Sequence, residues 1–167
     1  VKVQAEALAW VEQAWVKKSW PDTVELRLQE RKALASWGKE KLISKRKEIF
    51  DAERGSQLNG LPALYASDDY ASLVVDRYLE MELLLVGIDL TIATVELNER
   101  FSWRIALSEG IILIVSEERC MEKLQSFVAL YNKIPEEDKS YIAQVDLRYD
   151  NGLAIKWKNK NGNSNAA

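Results

Sequence analysis

Three acidic pairs are the residues whose type and spacing best suit them to do chemistry: Asp68-Asp69, Glu117-Glu118 and Glu136-Glu137. Adjacent carboxylates can pass a proton as general acid and base, or hold a hard cation. Two of the pairs, however, follow a serine, Ser67 and Ser116, at the start of an apolar helical stripe. Negative charge in that position steadies a helix dipole and accounts for the pairs without catalysis. The chain has no histidine, so the commonest general base and the commonest neutral metal ligand are missing. Its one cysteine, Cys120, has no partner for an internal disulfide and falls on an apolar stripe, which marks a small core residue. No phosphate-binding glycine loop, serine nucleophile elbow or metal-ligand spacing is present. The expectation is a protein that is not an enzyme and takes no cofactor.

Charge and hydropathy narrow the partners. A formal net charge of -3 over 167 residues argues against nucleic acid, which selects a basic surplus. Lys41, Lys45, Arg46 and Lys47 form a local basic cluster flanked by Glu40 and Glu48. It reads first as a solvated face, and second as an anionic-lipid contact should a membrane anchor lie nearby. The longest apolar runs, Leu83 to Val86 and Ile111 to Val115, are far short of the ~20 residues of a spanning helix. A start at Val1 rather than Met suggests a processed or cut-down chain whose anchor was lost, and the Asn-rich stretch from Asn159 to Ala167 reads as a disordered tail.

These side chains are positioned by a mixture of helices and strands. Val3 to Trp10 reads as a helix end, Gln13 to Trp20 as a strand, Pro21-Asp22 as a turn and Thr23 to Glu30 as a half-buried strand. Trp10, Trp15, Trp20 and Trp37 crowd this N-terminal part, where packing is the expected role. Short strands are expected between Lys39 and Phe50, then a loop from Gly55 to Pro62. Ser67 is expected to cap a helix whose stripe runs Tyr70, Leu73, Val74, Tyr78, Met81, Leu84 and Leu85. Strands over Leu90 to Leu97, Ser102 to Ser108 and Ile111 to Val115 follow. Ser116 is expected to cap a second helix whose stripe runs Cys120, Met121, Leu124, Phe127, Val128 and Tyr131, and Pro135 to Lys139 to be a loop. An antiparallel sheet with helices on one side results.

The most specific local signal is VDLRYDNGLAIKW, Val145 to Trp157. Val145, Leu147 and Tyr149 alternate with polar residues, and so do Leu153, Ile155 and Trp157 beyond Asn151-Gly152. A two-residue turn would mix the faces. A three-residue loop, Asp150-Asn151-Gly152 with Gly152 at positive φ, pairs Tyr149 with Leu153, Leu147 with Ile155 and Val145 with Trp157. That register gathers the large apolar side chains on one face, sets Asp146 opposite Lys156, and leaves Arg148 free to fork onto a partner carboxylate. The second strand is the last of the chain, so one of its edges is open to strand addition.

Two separated blocks resemble the FtsQ/DivIB family of cell-division proteins. Leu8 to Trp37 is similar to the second half of the family's POTRA domain, with its Trp-Pro-Asp at Trp20-Pro21-Asp22. Ala9 and Ala33 stand where the family usually has proline. Leu61 to Tyr65 resembles the loop before the first β-domain helix, and Val128 to Tyr131 with the terminal hairpin resembles the last helix and hairpin of gammaproteobacterial members. The resemblance implies an α+β chain: a truncated POTRA unit over 1–38, an antiparallel or mixed β-sheet domain with two helices on one side over 39–158, and the tail 159–167.

It implies further a non-catalytic scaffold of the bacterial inner membrane, single-pass, with this region in the periplasm at the division septum. The implied partners are FtsB and FtsL, with FtsK, FtsW, FtsI and FtsN as further divisome candidates. FtsB would add a strand to the last β-strand, so the partner-binding residues are Arg148, Tyr149, Asn151, Gly152, Leu153 and Trp157. Relatives carry Arg-Arg-Ser-Trp where this chain has Arg100-Phe101-Ser102-Trp103, and only Arg100 carries over as a second basic contact. The rival reading is a POTRA-type binding module of secretion or outer-membrane assembly, which predicts tandem repeats that the sequence does not display.

Overall fold

In a computed structural model, residues 11–20, 23–51 and 60–158 are described. The expected Val3–Trp10 helix, the Pro21-Asp22 turn, most of the Gly55–Pro62 loop and the tail 159–167 lie outside them. The chain divides into two compact units, residues 1–61 and residues 62–167.

The first unit begins with β1 (Val11–Ser19) and β2 (Thr23–Glu30), an antiparallel pair in which Lys17 faces Glu25 and Val16 faces Leu26. Val11 and Ala14 are buried. Trp15 and Trp20 are exposed, against the packing expected of them, and Trp37 is buried. The outward position of Trp15 follows from the register: it sits opposite Arg27, on the face carrying Lys17 and Glu25. An antiparallel meander of β3 (Ala33–Trp37), β4 (Lys41–Ser44) and β5 (Ile49–Asp51) completes the unit, with Ala35 and Ile43 buried on one face and Leu42 and Phe50 on the other.

The second unit is a mixed sheet in the order β11-β10-β9-β8-β7-β6. It contains β6 (Ala63–Tyr65), β7 (Ile92–Leu97), β8 (Ser102–Leu107), β9 (Ile112–Ser116), β10 (Ile142–Asp146) and β11 (Ala154–Trp157). Helix α1 (Ala71–Val86) connects the parallel neighbours β6 and β7, and α2 (Cys120–Tyr131) connects the parallel neighbours β9 and β10. A parallel pair needs such a crossover, which is why two helices stand beside the sheet. They pack on each other and on β7 and β9. Val74, Met81, Leu85, Leu124 and Phe127 from the two stripes are buried, as are Val95, Trp103, Ile105 and Leu113 from the sheet. The α+β architecture and the mixed sheet match the sequence expectation; the purely antiparallel variant is corrected by the β6–β7 and β9–β10 pairs.

Four local expectations are corrected. Leu61 to Tyr65 is not all loop, because Ala63–Tyr65 forms β6. Ser67 makes no capping bond; it precedes a 3-10 turn, Asp68–Tyr70, and α1 starts after it. Ser116 ends β9, and α2 is preceded by Arg119 in the left-handed region at φ 59°. Pro135 to Lys139 includes one helical turn, α3 (Glu136–Lys139).

Candidate functional site at the terminal hairpin

Strand β10 ends at Asp146, earlier than the alternating sequence suggests. The register is Asp146 opposite Ala154, Val145 opposite Ile155 and Gln144 opposite Lys156, with an irregularity before Ile142 pairs with Trp157. The expected pairings of Leu147 with Ile155, Tyr149 with Leu153, Val145 with Trp157 and Asp146 with Lys156 are therefore wrong. Leu147 explains the difference. Its N–H donates to the Ile114 carbonyl of β9 at 2.8 Å and its side chain is buried, so β9 holds it away from β11. The connection is consequently the long loop 147–153, not a three-residue turn, and Gly152 is not among the residues with positive φ. Trp157 and Tyr149, placed by the expected register on an apolar face, are 39% and 57% exposed.

The same bond fixes which backbone groups point outward. With the Leu147 N–H turned toward β9, the alternate residue Val145 also turns its peptide groups to β9, and those of Asp146 and Gln144 face β11. Val145 and Ile155 are thus a non-hydrogen-bonded pair. The N–H and C=O of Ile155 point away from β10, along a side of β11 to which no described strand pairs. Outward-pointing N–H and C=O groups of this kind have the chemistry that strand addition requires.

Arg148 is not free. Its guanidinium forks onto the Asp146 carboxylate, Nε donating at 2.9 Å and Nη2 at 2.6 Å, and its backbone N–H donates to the same side chain at 3.1 Å. The carboxyl of Asp146 is held below its ordinary range by those bonds, and the guanidinium of Arg148 is raised in turn. Half of the Arg148 side chain remains exposed, so a second carboxylate can reach it beside Asp146. Lys123 on α2 supports the loop from behind: its Nζ donates to the carbonyls of Tyr149 and Asp150, the latter at 2.8 Å. Tyr149, Asp150, Asn151, Gly152, Leu153 and Ala154 line a shallow concavity of 520 Å³ at the tip.

Arg100 lies in the β7–β8 turn, where the Asn98 side chain accepts its N–H at 2.9 Å. Strand polarity puts this turn and the 147–153 loop at the same end of the sheet, with β9 between β8 and β10. The sequence reading missed Lys123 altogether, since a lysine on a helix surface carries no signal. It also missed Asp146 as partner of Arg148, although two residues of separation on a strand do place them on one face.

A second missed cluster braces that end. Glu117 accepts from Arg77 Nε and Nη2 at 3.0 and 2.7 Å and from the Trp103 indole N–H at 2.6 Å. It joins α1, β8 and the β9–α2 connection, a structural task rather than acid–base work. Asp68 and Asp69 sit in the 3-10 turn, and Glu136 pairs with Lys139. Among the described residues no three acidic, cysteine or histidine side chains gather as a metal site. Burial, reinforced by the nearby Glu117 charge, pushes the Cys120 thiol up to about 12 and keeps it a core residue. No helix among the described residues is long and apolar enough to cross a membrane.

Comparison with known proteins agrees with this architecture. The model of the C-terminal domain of cell division protein FtsQ/DivIB matches residues 35–148, and that of the FtsQ-type POTRA domain matches residues 1–31. Cell division protein FtsQ of Alcanivorax borkumensis is 36% identical over 155 residues, covering 93% of this chain and 60% of the relative. FtsQ of Shewanella oneidensis is 36% identical over 157 residues, covering 94% and 60%, and FtsQ of Coxiella burnetii 30% identical over 153 residues, covering 92% and 63%. This chain thus spans roughly three fifths of the length of these curated relatives. With a domain model matching most of its length, the chain belongs to the FtsQ/DivIB family of cell-division proteins.

Proposed function

We propose that this chain is the periplasmic part of a non-catalytic divisome scaffold, anchored in the inner membrane in its full-length form. It binds the FtsB–FtsL pair through its terminal hairpin and so links early and late division proteins, among them FtsK, FtsW, FtsI and FtsN. The POTRA part ends near residue 38, and the β-domain from 39 to 158 carries the site.

The observation that supports this reading most is the open side of β11, where Ile155 directs its N–H and C=O outward. An extended FtsB segment laid along it would gain main-chain bonds worth roughly 0.5–1.5 kcal/mol each. Tyr149, Leu153 and Trp157 supply half-exposed apolar surface beside it, Asn151 and Gly152 leave the tip accessible, and Arg148 and Arg100 add positive charge at that end. Because Arg148 already holds Asp146, a partner carboxylate would share the guanidinium, not find it empty.

Calorimetric titration with a peptide from the C-terminal region of the same species' FtsB tests the reading. Saturable binding is expected, weakened about tenfold or more by Arg148→Gln, the loss of one charge-assisted pair. Arg148→Glu is the poorer probe, since it sets a second carboxylate against Asp146. Failure of the folded chain to bind both this peptide and the FtsB–FtsL complex would refute the proposal.

A further inference from the structure

A cleft of 670 Å³ in the first unit is lined by Ala33 and the buried Ser44 on strands and by charged side chains around them. Arg31 and Lys32 come from the β2–β3 connection, and Lys45 and Arg46 from the β4–β5 turn. The turn is held in shape by Ser44, whose hydroxyl oxygen accepts the N–H groups of Arg46 at 3.2 Å and Glu48 at 3.4 Å. Lys47 follows in the left-handed region at φ 68°, which closes the turn tightly and keeps Lys45 and Arg46 at the cleft.

Four cations meet only two carboxylates in the described lining, in a chain whose net charge is -3. Both carboxylates are engaged. Glu12 takes Arg46 at 2.8 Å and the Gln29 amide at 3.1 Å; Glu48 takes Arg31 at 3.4 Å, while the Arg31 guanidinium also lies 5.1 Å over the Phe50 ring. The internal pairs hold the two arginines as walls. The surplus positive charge is carried by Lys32 and Lys45, both exposed, one from each connection.

We propose that this cleft docks an acidic peptide segment of a partner protein, its carboxylates on Lys32 and Lys45 and an aliphatic stem against Ala33. Concavity selects a peptide over a bilayer: a flat anionic surface meets convex basic patches, whereas these lysines flank a depression that one side chain can enter. The charge asymmetry selects acidic sequences and speeds their encounter. The site uses different elements from the terminal hairpin and stands or falls independently of it.

The test is fluorescence anisotropy of a fluorescein-labelled hexaglutamate peptide titrated with the 167-residue chain. Saturable binding is expected, at least about tenfold weaker for Lys32→Glu/Lys45→Glu and weakening as salt rises from roughly 50 to 300 mM. A control of equal charge change on exposed lysines elsewhere, Lys39→Glu/Lys133→Glu, should stay within about twofold of wild type. Thermal melts establish folding, and Lys32→Gln/Lys45→Gln replaces the first variant should it unfold. Equal loss in test and control variants would overturn the proposal, as would absence of saturable binding. So would Lys32- and Lys45-dependent binding to phosphatidylglycerol vesicles without binding to hexaglutamate, which would assign the patch to a membrane.

Discussion

Glu117 shows how one side chain can answer for several elements. It takes Arg77 of α1, whose side chain is 29% exposed, and the indole N–H of fully buried Trp103 of β8. Glu117→Leu leaves a buried indole N–H without an acceptor and the part-buried guanidinium with Glu80 alone, at 2.7 Å, so urea unfolding should show a loss of about 2 kcal/mol. Glu117→Gln keeps one acceptor oxygen and should lose about half as much. The Asp146–Arg148 fork gives a residue-scale pH dependence. Arg148 depresses the folded-state pKa of Asp146, so its contribution is fully present above the unfolded carboxylate value of about 3.9 and is lost as pH falls through the lower folded value. A carbon-13 titration of the Asp146 carboxyl should have its midpoint below about 3.9 in the wild type, moving upward in Arg148→Gln. An unchanged midpoint would mean that the fork does not persist in solution.

Among the elements, the loop 147–153 depends on helix α2. Lys123 Nζ closes over the Tyr149 and Asp150 carbonyls, groups that strand pairing leaves unused once Leu147 has turned to β9. Lys123→Met keeps the aliphatic stem and removes the donors. Amide exchange of residues 148–152 should then speed up several-fold with little change in global unfolding, and Lys123→Arg should restore most of the protection. Period-two and helical patterns made most elements legible in advance: Trp103, Ile105 and Leu107 alternate inward, and the centres of the two helical stripes are buried, whereas Tyr70, Leu73 and Leu84 of the first and Met121 and Val128 of the second, at the stripe margins, are half-buried. The hairpin register was not legible, because alternation continues through Tyr149 while a long-range bond from Leu147 to Ile114 ends the pairing at Asp146. Strand β6 escaped because three residues, Ala63–Tyr65, are too short for any period and depend on β7 for their pairing. The serines misled for the opposite reason: Ser67 and Ser116 have good capping chemistry, yet a 3-10 turn and a left-handed Arg119 set the helix starts. Of the candidate site, the motif named the residues, whereas the Asp146 and Lys123 contacts that arrange them depend on tertiary placement, and that of Lys123 had no signal in the sequence.

For the whole molecule, both proposed contacts follow from surfaces the fold leaves unfinished: an open strand side on β11 in the second unit, and a lysine-flanked cleft in the first. Strand addition draws its affinity from a main chain already held straight, which α2, β9 and the Glu117 cluster provide. The central claim therefore rests on one backbone group. The most direct measurement is residue-resolved amide hydrogen exchange by NMR, with and without saturating FtsB peptide, at Ala154, Ile155 and Lys156. The account predicts that Ile155, whose N–H points outward, becomes protected by about tenfold or more on binding, while Ala154 and Lys156, already bonded to β10, change little. Tight binding with the Ile155 amide still exchanging at its free rate would contradict strand addition at β11.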